Sequence, residues 1–436
     1  MLGKIILVIR AAGTVISFAT YIGIRSARLR LRRIWHHISQ PSSPRELKPK
    51  QRNIVIIGAS MAGYTAARAI AESLLPGSPY RIVVVEPRDY FHFTWVLPRF
   101  SVVEGHEHKA FIPYGPYLRA IPDGVLRWIQ SRVTHITREH ALLASGEKVP
   151  YEFLLVATGA GATDVLPNRT GADGRAEGIL KLQELQLKIK ESKKLVVVGG
   201  GAAGVELATD AKTQYPDKSV VLVHSREAVM HRFGPELQKA AMEGLKDLGI
   251  EVMTADRLVS HDHDRGVAML KSGREIECDF LVTCMGQKPN SKLVAELSPD
   301  TITPTCHVLV KPTMQIKDDS LPNVYVCGDV AEANIPNPNS RSAASQALIA
   351  ADNIALAIDG HKPTNRYKPL WLEGLIKLTL GLHKSVTHIG DFNGTEMLFP
   401  AKEKDVALMS GGAWKHLGAT PFEDDTEALR RFLSES

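Results

Sequence analysis

Cysteine is scarce in this chain of 436 residues: four occur, Cys278, Cys284, Cys306 and Cys327, all in the second half. None stands at the CxxC or CxxxxC spacing of a dithiol pair, and no Cys/His cluster has zinc-ligand spacing, so neither a redox disulfide nor a metal site is expected. The four are read as buried thiols in or beside apolar strands, because free cysteine packs as a small hydrophobe. Acids are scarce in one place only. The first 52 residues hold eleven Lys/Arg against Glu46 alone, while the remainder carries 42 basic and 46 acidic residues. The net charge of +6 therefore belongs to an N-terminal appendage, and the body, at −4, is not built to grip nucleic acid. With 44% apolar and 23% charged residues the chain is an ordinary globular protein, long enough for two or three domains.

What the N-terminus has instead of acids is a long apolar run. From Ile5 to Ile24, IILVIRAAGTVISFATYIGI, 20 residues carry one charge, Arg10, which is enough length to cross a bilayer as a helix. Arg28, Arg30, Arg32 and Arg33 follow, and by the positive-inside rule they hold the next domain on the cytoplasmic side. A retained membrane anchor is the favoured reading. The rival is an Arg-rich, acid-poor mitochondrial presequence, and a mitochondrial membrane is the expected location. A cleaved secretory signal fits less well, since no clear cleavage site precedes the arginines. A soluble core helix would need a polar opposite face, and none is evident. Residues 39–52, SQPSSPRELKPKQR, form a polar, Pro-rich linker.

Two segments have the strand, glycine turn and helix order of a dinucleotide cradle. The first runs from NIVII through Gly58, Ala59, Ser60, Met61, Ala62 and Gly63 into an alanine-rich helical pattern. Gly58 permits the tight turn and Gly63 the close helix-to-strand packing, while Ser60 replaces the middle glycine. A pyrophosphate would rest on the N–H groups at the helix N-terminus. RIVVVE then ends on Glu86, 23 positions after Gly63, where an acid accepts hydrogen bonds from a ribose. The second copy, LVVVGGGAAGVELATD, has all three glycines, Gly199, Gly201 and Gly204. Where an NAD-selective site would place an acid it has His224, Ser225 and Arg226. Arg226 could pair with a 2′-phosphate that an acid would repel. NADPH is therefore favoured, with NADH left open.

Together with YEFLLVATGA (151–160), CDFLVTCMGQKPN (278–290) and LPNVYVCGDVAE (321–332), these cradles resemble the two-dinucleotide-domain flavoprotein reductases. The chain looks most like their apoptosis-inducing-factor-like branch, which includes ferroptosis suppressor protein and the type II NAD(P)H dehydrogenases. The resemblance implies that FAD lies on Gly58 to Gly63 and Glu86, that Thr158 and Gly159 line the flavin crossover, and that Asp329 bonds the ribityl chain. Arg99 resembles an FAD-contacting arginine, and Val133 a strand residue whose backbone meets adenine. Glu206 matches the carboxylate that similar enzymes point toward the nicotinamide. The stretch after Glu86 reads PRDYFHFTWVLPRF, where disulfide reductases carry their cysteine pair. Electrons must then leave the flavin directly for an external acceptor.

The fold class expected is α/β: two Rossmann-like domains, one inserted in the other, plus a small C-terminal α+β domain and an N-terminal hydrophobic helix. The expected divisions are an anchor at 1–38, the linker, FAD-binding parts at 53–170 and 291–360, an NAD(P)-binding domain at 171–290, and a C-terminal domain at 361–436. A bilayer-held enzyme has access to quinones, so a quinone is the first acceptor expected. Lys368 is a candidate catalytic residue beside it with Trp371, and His92 and Lys109 flank the flavin side. A tailoring oxidoreductase on a small organic substrate and a death-effector flavoprotein with DNA as partner are the alternatives, the second opposed by the body's negative balance. Oligomeric state is left open, a homodimer included. PFEDDTEALRRFLSES, with acids in its first turn, is expected to be helical.

Overall fold

The computed structural model describes residues 2–39, 51–161 and 169–423, with 427, 429 and 432 beyond them. Most of the linker and most of the expected C-terminal helix lie outside these residues.

The apolar runs IVII, IVVV, LVVV and VVLV are rich in β-branched residues, too continuous for a half-exposed strand, and belong to parallel sheets covered on both faces. The first sheet has five parallel strands in the order Val324–Val326, Phe153–Val156, Arg52–Ile57, Tyr80–Val85, Leu126–Ile129. The second has four, Glu251–Met253, Ser219–Val223, Lys194–Val198 and Phe280–Thr283. The chain leaves the first sheet after Phe153–Val156 and returns beside that same strand at Val324–Val326, so the second sheet is an insertion. The helix Met61–Ser73, which follows the first glycine turn, packs along Ser340–Ile358. Buried alanines on both, Ala62, Ala66, Ala343 and Ala347 among them, let the two approach closely.

A third, antiparallel sheet, Ile376–Thr379, Lys384–Gly390 and Glu396–Lys402, turns at Asn393-Gly394. It rests on Ala202–Gln214, the helix after the second glycine turn. All four cysteines are free; Cys278 and Cys327 are buried as expected, whereas Cys284 and Cys306 are partly exposed.

The N-terminal segment is one helix, Leu2–Ser39, about 57 Å long at ~1.5 Å per residue. It has a polar face, contrary to the expectation from its apolar run, and that face is turned onto the body. Arg25 is buried, its Nε 2.8 Å from Asp352 Oδ1 and its Nη1 3.1 Å from Glu72 Oε2. Tyr21 donates to Asp352 at 2.9 Å, Arg10 pairs with Asp391, and Arg32 pairs with Asp359 and donates to the Ser73 carbonyl. Spacings of four and seven keep Tyr21, Arg25 and Arg32 on one side. The opposite side is apolar: Ile5, Ile9, Ile16, Leu31, Ile34 and Ile38 are each 52–73% exposed.

Candidate functional site

Both glycine turns are locked by backbone. Gly58 has φ +91°, and a Cβ there would lie 2.6 Å from the Ala157 carbonyl oxygen. A Cβ on Gly63 would come within 1.8 Å of the Gly58 oxygen, and one on Gly204 within 1.8 Å of the Gly199 oxygen. Only glycine serves at such approaches. At Gly201, by contrast, an added Cβ meets no protein atom within 4 Å, the open approach that a backbone resting on phosphate needs.

The two cradles are built alike to an extent that the sequence does not advertise. Glu86, 2% exposed, ends its strand by accepting from Ala59 N at 2.6 Å through one oxygen and from Arg88 N at 3.1 Å through the other. In the second cradle His224 takes the same place, its Nδ1 accepting from Gly200 N at 3.0 Å. That bond leaves Nε2 to carry the ring proton, facing His231 Nδ1 at 3.3 Å. Burial, then the neighbouring His231, push the His224 pKa down, so the position where NAD-selective folds put a negative charge holds a neutral ring. Arg226 is exposed two residues further on. Histidine in the acid's place was readable as a type, but its hydrogen bond was not.

Around the first cradle a chain of polar and charged groups links Glu86 to Asp329. Arg88 Nη1 is 3.7 Å from Glu86 Oε1, the charges of Arg88 and Arg169 both act on His92, and that of Arg169 acts on Asp329. Burial first, then these two arginines, push His92 down to about 3, so it is neutral. Burial raises the Asp329 carboxyl, and Arg169 moderates the rise. Arg88 Nε and His92 Nε2 are buried with no hydrogen-bond partner among the described residues. Two anion-seeking arginines, an unpaired ring nitrogen and glycine-lined backbone suit a bound dinucleotide diphosphate. Val133 opens a small antiparallel sheet and is buried. Thr158 and Gly159 are held by one residue of the insertion: Thr158 Oγ1 donates to the Asn290 carbonyl at 2.8 Å, Asn290 Nδ2 donates to the Thr158 carbonyl at 2.9 Å, and Asn290 N donates to the Gly159 carbonyl at 2.9 Å.

Arg99, expected at the FAD, is engaged by protein groups through two of its nitrogens. Fully buried, it gives Nε to Asp210 at 2.7 Å and Nη2 to the Gly381 carbonyl at 3.1 Å, so its bonds tie the first domain to the second-cradle helix and the C-terminal sheet. A partner 111 positions away could not be paired with it by reading the sequence. Glu206, one helical turn before Asp210, accepts from Thr379 N at 3.1 Å. Though partly exposed, it is surrounded closely enough that burial, then the adjacent Asp210, push its carboxyl up to about 8 against the pull of the Thr379 N–H and Arg99. Lys368 is exposed, whereas Trp371 is buried. Lys109 donates to His106 Nδ1 at 2.8 Å and lies 4.9 Å over the Phe422 ring.

Residues 52–350 match the family described as pyridine nucleotide-disulphide oxidoreductase. Fe-regulated protein 8 of Mycosarcoma maydis is 31% identical over 77% of this chain and 88% of its own. Ferroptosis suppressor protein 1 is 28% identical in Xenopus tropicalis, over 84% and 96% of the two chains, and 27% in Homo sapiens. Among solved structures, an NAD-dependent persulfide reductase from A. fulgidus superposes with a TM-score of 0.61 at 22% identity, covering 78% of this chain and 64% of that longer one. A ferredoxin reductase from Rhodopseudomonas palustris gives 0.60 at 21%, over 78% and 83%. Cradles nested one inside the other, a hydride-carrying pair of nucleotides implied by both, and these likenesses converge: the chain belongs to the pyridine nucleotide-disulphide oxidoreductase family, in its apoptosis-inducing-factor-like branch, and is an FAD-dependent NAD(P)H oxidoreductase.

Proposed function

We propose that this enzyme oxidises NADPH, with NADH as a second donor, and delivers the two electrons to a quinone-class acceptor at a membrane. The observation that carries the acceptor reading is the outward apolar face of the N-terminal helix, which gives the enzyme a lipid-facing side. The Arg-rich, acid-poor N-terminus favours a mitochondrial membrane. No cysteine lies between Glu86 and Arg99 to relay electrons through a disulfide.

FAD would be held by backbone from Gly58 to Gly63, with Glu86 at the ribose, Val133 at the adenine, Arg88 and Arg169 at the diphosphate, Thr158 and Gly159 at the crossover and Asp329 at the ribityl chain. NADPH would lie on Gly199, Gly201 and Gly204, its 2′-phosphate reaching Arg226. The flavin, once bound, supplies the two-electron acceptor for nicotinamide hydride and the donor to the quinone. The protein's part is alignment. Glu206 keeps a neutral carboxyl at the nicotinamide side below pH of about 8, so that it adds no charge beside the ring.

The test is anaerobic titration of the full chain in detergent. NADPH should bleach the visible flavin band faster than NADH, and a soluble quinone should restore it. A flavin that neither nucleotide bleaches ends the hydride-transfer reading. In the same assay Arg226→Ala should lower kcat/KM for NADPH by about ten- to a hundredfold, as expected for one charge-assisted contact, and leave NADH unchanged. The rate of bleaching should change with pH around 8 as the Glu206 carboxyl ionises, and Glu206→Gln should flatten that profile. A break that persists in the variant would assign it to another group.

A further inference from the structure

A cavity of about 270 Å³ lies where the inserted domain, the segment after Asp329 and the C-terminal sheet meet, and neither glycine cradle lines it. Phe233, Ile335 and Trp371 supply apolar walls, and His388 and Glu396 supply the polar one. The cavity is close to the small end of ligand pockets and suits a single substituted ring.

Its polar wall is a buried pair left with one bond to make. His388 and Glu396 are 4% and 8% exposed, and His388 Nε2 is 2.9 Å from Glu396 Oε2. Glu396 is itself fixed, because its Oε1 accepts from Glu236 N, in the first turn of Pro235–Asp247, at 2.9 Å. The Phe233 ring stands edge-on to the imidazole, 5.8 Å between centroids. His388 Nδ1 has no hydrogen-bond partner among the described residues, although almost every buried polar atom in a folded protein has one. Nδ1 is covered against solvent, so a carbonyl oxygen on a ring in the cavity would provide that partner as the ring displaces the side chains over the imidazole.

The cavity also adjoins the lipid-facing helix. Arg10 pairs with Asp391 and lies 5.8 Å over the Trp371 ring, and Asp391 and Trp371 both line the cavity. A ring held beside the first turns of that helix would lie next to this cavity.

We propose that the cavity receives the quinone ring and that His388, oriented by Glu396, delivers a proton to one of its carbonyl oxygens. The inference rests on the quinone reading above and adds its site. Quinone takes up two electrons and two protons to become quinol. NAD(P)H yields both electrons and one proton as hydride, His388 in its protonated form yields the second proton, and solvent returns that proton to the imidazole. The sum is NAD(P)H + H⁺ + quinone → NAD(P)⁺ + quinol. Glu396 is a positioning residue: it holds the ring and balances its positive charge.

The experiment compares a short-chain quinone, which needs protons, with ferricyanide, which takes electrons alone, using the full chain in detergent. His388→Gln should lower the ratio of quinone to ferricyanide turnover by about a hundredfold, the scale of lost general acid catalysis. Glu396→Gln should lower it less, and Trp371→Leu should raise the quinone KM about tenfold with little change in kcat. If His388→Gln does not retain flavin, Trp371→Leu decides alone. Wild-type quinone kinetics in all three variants would overturn the site while leaving the quinone reading intact. A higher KM for NADPH in Trp371→Leu, with the quinone KM unchanged, would give the cavity to the nicotinamide and overturn the inference as well. A wild-type enzyme that reduces no quinone would sink the acceptor reading, and this site with it.

Discussion

Gly63→Ala is expected to purify without flavin. The added methyl would stand 1.8 Å from the Gly58 carbonyl oxygen, 2.9 Å from its carbon and 3.2 Å from Ile56 Cγ2. Relief would require the helix Met61–Ser73 to withdraw from the turn, but its other side is packed against Ser340–Ile358. The turn cannot retreat either, since Gly58 already sits against the Ala157 carbonyl. Overpacking of this kind costs about 1–3 kcal/mol in stability, and the shifted backbone would no longer present its N–H groups to a diphosphate. The visible absorbance of the purified protein and its Tm report both losses. Gly201→Ala is the control. Its methyl meets no protein atom, so flavin and Tm should be kept while the KM for NAD(P)H rises. Full flavin occupancy in Gly63→Ala would mean that the first cradle is looser than its contacts imply.

Arg99→Met should be the most destabilising side-chain change, by about 3–5 kcal/mol at neutral pH, because it strands a buried carboxylate. Asp210 is wholly buried, and burial raises its carboxyl to about 6 even with Arg99 pulling it down. Without the guanidinium the folded-state value rises further. A raised acid is no burden below its unfolded value, near 3.8, where both states are protonated, and becomes one as pH rises toward the folded value. The cost of Arg99→Met that comes from this titration, followed by urea unfolding, should therefore be small up to pH of about 6, where wild type carries the same burden, and should grow as pH rises from there toward the variant's higher folded value. Arg99→Met with Asp210→Leu should recover most of it, since Asp210 Oδ1 and Arg99 Nη1 lack partners among the described residues and the pair is only partly satisfied. A cost independent of pH would point to lost packing instead.

The glycine cradles were legible because their geometry admits one residue type, and a φ of +91° or a 1.8 Å approach writes itself into the sequence as Gly58, Gly63 and Gly204. The inserted topology was legible from motif order alone. Contacts between distant side chains were not. Arg99 was noticed, yet its role depends on Asp210 in another domain, and nothing local to either residue announces the other. His224 was seen as the absence of an acid, while the structure has it accepting the hydrogen bond that Glu86 accepts in the first cradle. The His388–Glu396 pair becomes visible only through the hairpin register that sets His388 opposite Leu398 and Gly390 opposite Glu396. The N-terminal helix shows the opposite failing. Tyr21, Arg25 and Arg32 do stand at helical spacing in the sequence, but a long apolar run hides a narrow polar stripe within it.

That stripe makes the helix a counterion that the enzyme carries with it. Arg10, Arg25 and Arg32 cover Asp391, Glu72, Asp352 and Asp359, which come from the C-terminal sheet and from both packed helices of the first domain. On the membrane reading proposed above, attachment to lipid and neutralisation of that acidic row are one event. A chain shortened past residue 39 would lose affinity for a membrane twice over: once through the missing apolar area, and again because four uncovered carboxylates repel an anionic lipid surface.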